Sequence, residues 1–385
     1  MSGFIPYGRQ QISEVDIEEV VCVLRSEYLT QGPAIPAFEQ AVASYCGVAH
    51  AVAMNSATSA LHVACLALGV GPGDRVWTSP VTFVASANCA LYCGAQVDFV
   101  DVDPATGNLC VVQLAERLAQ AERNGTLPKV VIPVHLCGRS CDMKAVRELS
   151  RRYGFAVIED ASHAIGARYD GAPVGDCLYS DIVVFSFHPV KIITTGEGGM
   201  ALTRNAQLAR HMERLRSHGI TRDPAEMTGA PEGPWHYQQI ELGFNYRMTD
   251  LQAALGLSQL SRLDAFIDQR HRVAARYAEA LAGMPLDLPP AEPEGRSALH
   301  LYVVRVGAGH DRRAVFEALR ARDIGVNVHY IPVYLQPYYA ALGFVPGHCP
   351  GAEHYYARAI SLPMYSGLTE SDQARVISAL RDVLA

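Results

Sequence analysis

Between His50 and Thr203 the chain alternates short apolar runs with amphipathic stretches, and this pattern restricts its fold more than any other feature. The runs His50–Met54, Arg75–Thr78, Gln96–Val100, Lys129–His135 and Phe155–Glu159 read as strands. Between them Ser56–Leu68, Phe83–Tyr92, Val111–Arg123 and Met143–Tyr153 read as helices. Strand–helix–strand units of this length need crossover connections, which predicts an α/β chain with a mainly parallel central sheet. Ser180–Phe187 and Gly199–Thr203 add two strands, and Ala206–His218 a helix.

The flanks read differently. Ile17, Val20, Val21 and Leu24 recur at helical spacing, and Glu14, Asp16, Glu18 and Glu19 load the start with acid, so Ser13–Leu24 is predicted helical. Ser26–Pro33 is a loop, and a second helix covers Ile35–Cys46. Gly219–Glu241, rich in Pro, Gly and polar residues, reads as a long functional loop. Thr249–Ala282 is helical with one bend or break, and Pro285–Pro293 is a Pro-rich break. A smaller unit follows, with a strand His300–Val306, a helix Asp311–Arg322, a strand Val326–His329 and a last helix from near Thr369. At roughly 150 residues per domain, 385 residues suggest two to three. The boundary is expected near Leu263, giving a large domain 1–263 and a small C-terminal α/β domain 264–385, with the N-terminal segment packing on the latter.

Charged residues make up 18% of the chain, which argues against a disordered or coiled-coil protein. The net charge of −7 offers no reason to expect nucleic acid. No stretch approaches the roughly 18 apolar residues of a membrane helix, and the N-terminus has no basic region followed by an apolar run. A cytoplasmic protein with reduced thiols is expected despite 10 Cys. Of 32 basic residues only Lys129, Lys144 and Lys191 are lysines. A lysine kept in an arginine-dominated chain suggests chemistry that a guanidinium cannot do, such as amine nucleophilicity.

The run Phe155-Ala-Val-Ile-Glu-Asp160 ends an apolar strand in an acid, where parallel sheets bind ligands. Val183-Val-Phe-Ser186-Phe-His-Pro-Val-Lys191 ends a second strand in one of the three lysines, 31 residues (191 − 160) further on. A carboxylate and an amine at neighbouring strand ends suit pyridoxal phosphate, the amine bonding the aldehyde and the carboxylate keeping the pyridine nitrogen protonated. Asn55-Ser-Ala-Thr-Ser-Ala-Leu61 opens a helix with small and hydroxylated residues, which fits either a phosphate cradle or a plain N-cap. Ser186 is a second phosphate candidate, and Phe83 suits either ring stacking or core packing. Gly69-Val-Gly-Pro-Gly-Asp74 follows a helix and precedes a strand, so it is a turn and not a dinucleotide loop. His135, Cys137 and Cys141 fit no standard zinc spacing, and no metal is expected.

Together these segments resemble the sugar aminotransferases of the DegT/DnrJ/StrS family, which have the aspartate aminotransferase (type I) fold of pyridoxal phosphate-dependent transferases. The matching stretches include Leu29-Thr-Gln-Gly-Pro33, Asn55–Leu61, Pro80-Val-Thr-Phe-Val-Ala-Ser86, Glu159-Asp-Ala-Ser-His-Ala-Ile-Gly166, Ser186–Lys191, Thr195-Gly-Glu-Gly-Gly199, Gly243-Phe-Asn-Tyr-Arg-Met-Thr-Asp250 and Val328-His-Tyr-Ile-Pro332. They run in order along nearly the whole chain. The variants Asp160-Ala-Ser-His-Ala164 and Ser186-Phe-His-Pro-Val-Lys191 are similar to the branch that aminates C4 of a UDP-4-keto-6-deoxy-N-acetylhexosamine on the route to pseudaminic acid.

The resemblance implies that Lys191 holds the cofactor as a Schiff base and shuttles the proton, while Asp160 pairs the pyridinium. His163 stands where many members have Gln, near the phenolic oxygen. Ala57, Thr58 and Ser186 would bind the phosphate, Phe83 would stack on the ring, and Asn245 would reach the phosphate of a neighbouring subunit in a homodimer. Tyr7, Glu27, Tyr28, Leu29, Thr30, Ser56, His329 and Tyr330 match sugar-nucleotide contact positions. The implied substrates are a UDP-sugar and L-glutamate. Family members with His in place of the Schiff-base lysine dehydrate, so Lys191 favours amino transfer. The alternatives are C3 amination, a lyase, desulfurase or dehydratase on the same fold, and a non-enzymatic sugar-nucleotide-binding module. Cys137 departs from the Tyr usual in relatives.

Overall fold

The computed structural model describes residues 3–292 and 295–385, so Pro293, at the end of the predicted Pro-rich break, lies outside the described residues. Seven strands form the main sheet among these residues: β1 (His50–Met54), β2 (Arg75–Thr78), β3 (Gln96–Phe99), β4 (Val130–Ile132), β5 (Ala156–Asp160), β6 (Ile182–Ser186) and β7 (Gly199–Thr203), in the order β1-β7-β6-β5-β4-β2-β3. β3, β2, β4, β5 and β6 pair in parallel, and β7 runs antiparallel between β6 and β1. The predicted strand Lys129–His135 shortens to β4, because Pro133 has no N–H for the ladder.

Helices α1 (Glu14–Leu24), α2 (Ala34–Cys46), α3 (Ala57–Ala67), α4 (Ala85–Tyr92), α5 (Val111–Asn124), α6 (Met143–Tyr153) and α7 (Ala206–Leu215) surround the sheet. In α5, Leu114, Leu118 and Ala121 recur at helical spacing and are buried, and left-handed Gly125 ends the helix. In α6 the Asp142 carboxylate accepts from Ala145 N–H at the start and left-handed Gly154 closes the end. Strand residues alternate between two cores: Val52, Ile158 and Val184 pack with α3 and α4 on one face. Ala53, Val183 and Phe185 pack with α2 on the other.

The predicted long helix is two, α8 (Asp250–Leu260) and α9 (Leu263–Ala280), broken at Ser261–Arg262. Buried Asp16 of α1 ties down this junction, accepting from Ser258 Oγ at 2.6 Å, from Gln259 Nε2 at 2.8 Å, and from Arg262. Leu263, Phe266 and Ile267 of α9 join the main-sheet core. Val273 and Tyr277 enter a second core with Ile5, Val304, Ile360 and Leu380. That core packs on a sheet of β8 (Leu286–Asp287), β9 (Tyr302–Val306) and β10 (Ala359–Leu362), with β9 central. Helices α10 (Arg312–Arg320), α11 (Pro337–Ala340), α12 (Pro350–Arg358) and α13 (Glu370–Leu384) complete the C-terminal part.

Two expectations need correction here. The run Val326–His329 is not a strand. It makes a single antiparallel bridge, Asn327 to Ser361 of β10, and no ladder. The long segment Gly219–Glu241 contains a short hairpin, Ile220–Thr221 against Gln238–Gln239.

Candidate active site

The topology brings chemically unlike segments to one edge of the main sheet. The carboxyl ends of β1, β5 and β6 lie beside the start of antiparallel β7: Gly199 pairs with Met54 on one side and Ser186 on the other, while Asp160 pairs with Val184. A cavity of about 660 Å³ opens there, lined by Ser56, Ala57 and Thr58 from the start of α3, by Asp160, His163, Ser186 and Lys191, and by Tyr7, His329 and Tyr330 from the chain's two ends. Phe83 lies at its rim and is 60% exposed, because α4 starts two residues later than predicted, at Ala85.

Gly199 makes the cradle possible. A Cβ on it would lie 2.4 Å from Ala57 N and 2.5 Å from the carbonyl of Ser56. Only glycine lets β7 approach the first turn of α3 this closely. Ser56 caps that turn, its hydroxyl accepting from Ser59 N–H at 3.1 Å. Ala57 and Thr58 line the cavity, and as the first residues of α3 their N–H groups have no intrahelical acceptor, a fitting place for an anion.

Asp160 is buried. Ser86 Oγ donates to its Oδ2 at 2.6 Å and Ser162 N–H to its Oδ1 at 3.1 Å. Ser86 in turn pairs with Thr82 Oγ1 at 2.7 Å. A carboxylate held this way is oriented toward a cationic partner without being neutralised by one. Burial lowers the Lys191 amine to about 8, against a smaller upward pull from Asp160. About one amine in ten is then uncharged at pH 7, against about one in three thousand at the ordinary value.

Three imidazoles stand around this amine. His163 and His300 are buried with ring centroids 4.4 Å apart, and His329 packs on Tyr7 at 5.3 Å. Burial, then the charge of Lys191, hold His163 well below the ordinary histidine range, and the same two causes put His329 at about 3. Burial, reinforced by the neighbouring His163, lowers His300 likewise.

The structure thus gathers Lys191, Asp160, His163, Ala57, Thr58, Ser186, Phe83, Ser56, Tyr7, His329 and Tyr330 at one cavity. It does not bring Glu27, Tyr28, Leu29, Thr30 or Asn245 to it. The first four are exposed on the loop before α2, where Thr30 bridges Thr249. Asn245 is exposed beside the end of β1, its carbonyl 3.5 Å from Asn55 Nδ2. Two residues at the site had no role in the sequence reading. Ser86 lies in the first turn of α4, and Thr82, in the turn just before that helix, reaches its hydroxyl. His300 carries no sequence signal. His135 engages Glu159 at 2.6 Å and accepts from Cys141 N–H at 3.1 Å. Among the described residues no cluster of His, Cys, Asp and Glu is arranged to hold a metal ion.

Comparison with known proteins agrees with this geometry. Residues 10–381 match the model of the DegT/DnrJ/EryC1/StrS aminotransferase family. The spore coat polysaccharide biosynthesis protein SpsC of Bacillus subtilis is 39% identical, over 99% of this chain and 97% of its own length. Helicobacter pylori PseC, described as an aminotransferase involved in the biosynthesis of pseudoaminic acid, superposes with a TM-score of 0.91 at 29% identity over 99% of both chains. The PLP-form of the sugar aminotransferase Spr1654 of Streptococcus pneumoniae superposes with a TM-score of 0.88 at 29% identity, over 99% of this chain and 100% of that one.

Proposed function

Because this chain belongs to the DegT/DnrJ/EryC1/StrS aminotransferase family of sugar aminotransferases, we propose that it binds pyridoxal 5′-phosphate in the 660 Å³ cavity and moves an amino group from L-glutamate to C4 of a UDP-4-keto-6-deoxy-N-acetylhexosamine. The observation that carries this reading is the convergence of Asp160 and Lys191 on one cavity beside the glycine-spaced start of α3. When bound, pyridoxal phosphate supplies an aldehyde that accepts amines and a ring that withdraws electrons. The protein's residues do the rest. The Ala57 and Thr58 N–H groups and Ser186 Oγ would hold the phosphate, Asp160 would pair with the ring nitrogen, and Phe83 would cover the ring. Lys191, its amine kept partly uncharged, would hold the cofactor through its aldehyde and, once the amino donor's own amine has displaced it, would be free to take up and return the proton of the substrate carbon. Tyr7, Ser56, His329 and Tyr330 line the side left for the sugar nucleotide.

The likeness to PseC, an aminotransferase involved in pseudoaminic acid biosynthesis, and to SpsC, a spore coat polysaccharide biosynthesis protein, supports a role in making a surface glycan. In a homodimer, the exposed Glu27–Thr30 loop and Asn245 of one copy would complete the cavity of its partner. We also take 1–263 and 264–385 as the cofactor-binding and small domains. Borohydride reduction of the holoenzyme followed by peptide mapping tests the core of the proposal: label on Lys191 is expected, and label elsewhere or none refutes it. An L-glutamate and keto-sugar assay with NMR of the product reads the position aminated. Amination at C3, or loss of water instead, would replace the C4 assignment.

A further inference from the structure

The proton on one cavity imidazole is placed by the backbone. Cys137 N–H lies 3.3 Å from His163 Nδ1. An amide N–H only donates, so Nδ1 accepts, and a neutral ring must then carry its hydrogen on Nε2. Nε2 lies 3.3 Å from the Tyr330 hydroxyl, on the cavity side. Resting on the cofactor reading above, we propose that the turn Leu136–Gly138 locks His163 as the Nε2–H tautomer. His163 is thereby a permanent donor toward the cofactor's phenolic oxygen, and Lys191 alone is left to take up the proton removed from the substrate.

The lock is built into the tertiary structure. Cys137 takes left-handed backbone angles, φ 62°, which turn its N–H toward His163. Leu136 N–H is held by Asn108 Oδ1 at 3.0 Å, and the Gly138 carbonyl accepts from Ala298 N–H at 3.0 Å. Gly138, at φ 95°, fits closely: a Cβ there would lie 2.9 Å from both His163 O and Leu299 N. The turn is clamped on both sides and cannot swing to offer an acceptor to Nδ1. Protonating Nδ1 would set two donors against each other.

The surroundings also oppose a second proton. Lys191, His300, His329, Tyr330 and Asp160 share the cavity with His163, and Arg270 lies behind His300, donating to its carbonyl at 3.2 Å. Burial and the nearby positive charges hold all three histidines uncharged. In this account Cys137 is a positioning residue, acting through its N–H and not its thiol.

The test is a two-bond 1H–15N spectrum of histidine-labelled holoenzyme, with His163 assigned by its absence in His163→Gln. An unprotonated Nδ1 and protonated Nε2, unchanged between about pH 6 and 9, are expected. An Nδ1–H signal, or titration within that range, overturns the proposal. A second arm follows the absorption of bound cofactor against pH in His163→Gln, which keeps a donor, and His163→Leu, which does not. His163→Leu is expected to shift the midpoint and lower kcat/KM about ten- to a hundredfold, with a smaller shift and a smaller loss in His163→Gln. Equal profiles for wild type and His163→Leu refute the donor role. Borohydride labelling keeps the two readings apart. Label on Lys191 with a titrating His163 defeats only the tautomer lock. Absent label defeats the cofactor reading, while the imidazole spectrum still reads the tautomer.

Discussion

Replacing Gly199 by Ala tests whether close backbone approach shapes the phosphate cradle. The added Cβ would sit 2.4 Å from Ala57 N, where ordinary contact begins at 3.4 Å, so something must move about 1 Å. Neither side yields easily. Gly199 is paired to Met54 and to Ser186, and the opposing atoms are backbone of the first turn of α3. Overpacking of this kind destabilises by about 1–3 kcal/mol. With roughly 2.1 cal/mol/K of unfolding entropy per residue over 385 residues, that is a Tm loss of only about 1–4 °C. A displacement of about 1 Å at a binding site can cost on the order of a hundredfold. Cofactor affinity, measured by absorbance titration of apo-protein, should therefore fall far more than Tm, measured by calorimetry. Gly71→Ala is the control, since nothing lies within 4 Å of its Cβ position and its backbone angles suit any residue. If Gly199→Ala binds pyridoxal phosphate as tightly as Gly71→Ala does, the start of α3 is not set by β7 and the cradle argument fails.

Three other perturbations reach different parts of the molecule. Because burial lowers the Lys191 amine to about 8, the rate at which apo-protein bonds pyridoxal phosphate should rise about tenfold per pH unit below that value and level off above it; levelling near the ordinary lysine value would refute the shift. Burial pushes the Asp16 carboxyl up, but bonds from Ser258, Ser13 N–H and Gln259 and the charge of Arg262 outweigh it and hold the group below its ordinary value. Its stabilising contribution is therefore present above about pH 4 and lost as pH falls through the lower folded value. Asp16→Ala should cost about 3 kcal/mol in urea unfolding at neutral pH, with the gap narrowing in acid. If Asn245 serves the partner's cavity, mixing inactive Lys191→Ala and Asn245→Ala under subunit exchange should restore about a quarter of wild-type activity, since half of the dimers would each regain one site of two; no recovery on proven exchange would place Asn245 elsewhere.

Much of the α/β part could be read from periodicity. Strands such as His50–Met54 and Gly199–Thr203 match the predicted spans residue for residue, because an apolar run bounded by turn signals leaves little choice. The C-terminal part was harder. Val326-Asn-Val-His329 alternates like a strand, yet it makes one bridge, from Asn327 to Ser361 of Ala359–Leu362, the strand that pairs with β9. That four-residue strand follows α12 with no turn residue to announce it. At the site, motif order pointed to Lys191, Asp160, His163 and the start of α3. Ser86, which orients Asp160, and His300, which packs on His163, depend on a contact 74 residues away in sequence for the first and on a tilted ring contact for the second.

What residue types and spacing determined by themselves is the chemistry on offer: one retained amine after one strand, one carboxylate after another, and a small-residue helix start. Such assignments are local, since each needs only the strand or helix that carries it. The tertiary fold decided how those groups behave. Burial lowers the Lys191 amine, the β7 approach opens space at Ala57, and a clamped turn sets which nitrogen of His163 bears the hydrogen. Desolvation, close packing and hydrogen-bond direction arise only between segments far apart in the chain, and no single segment encodes them.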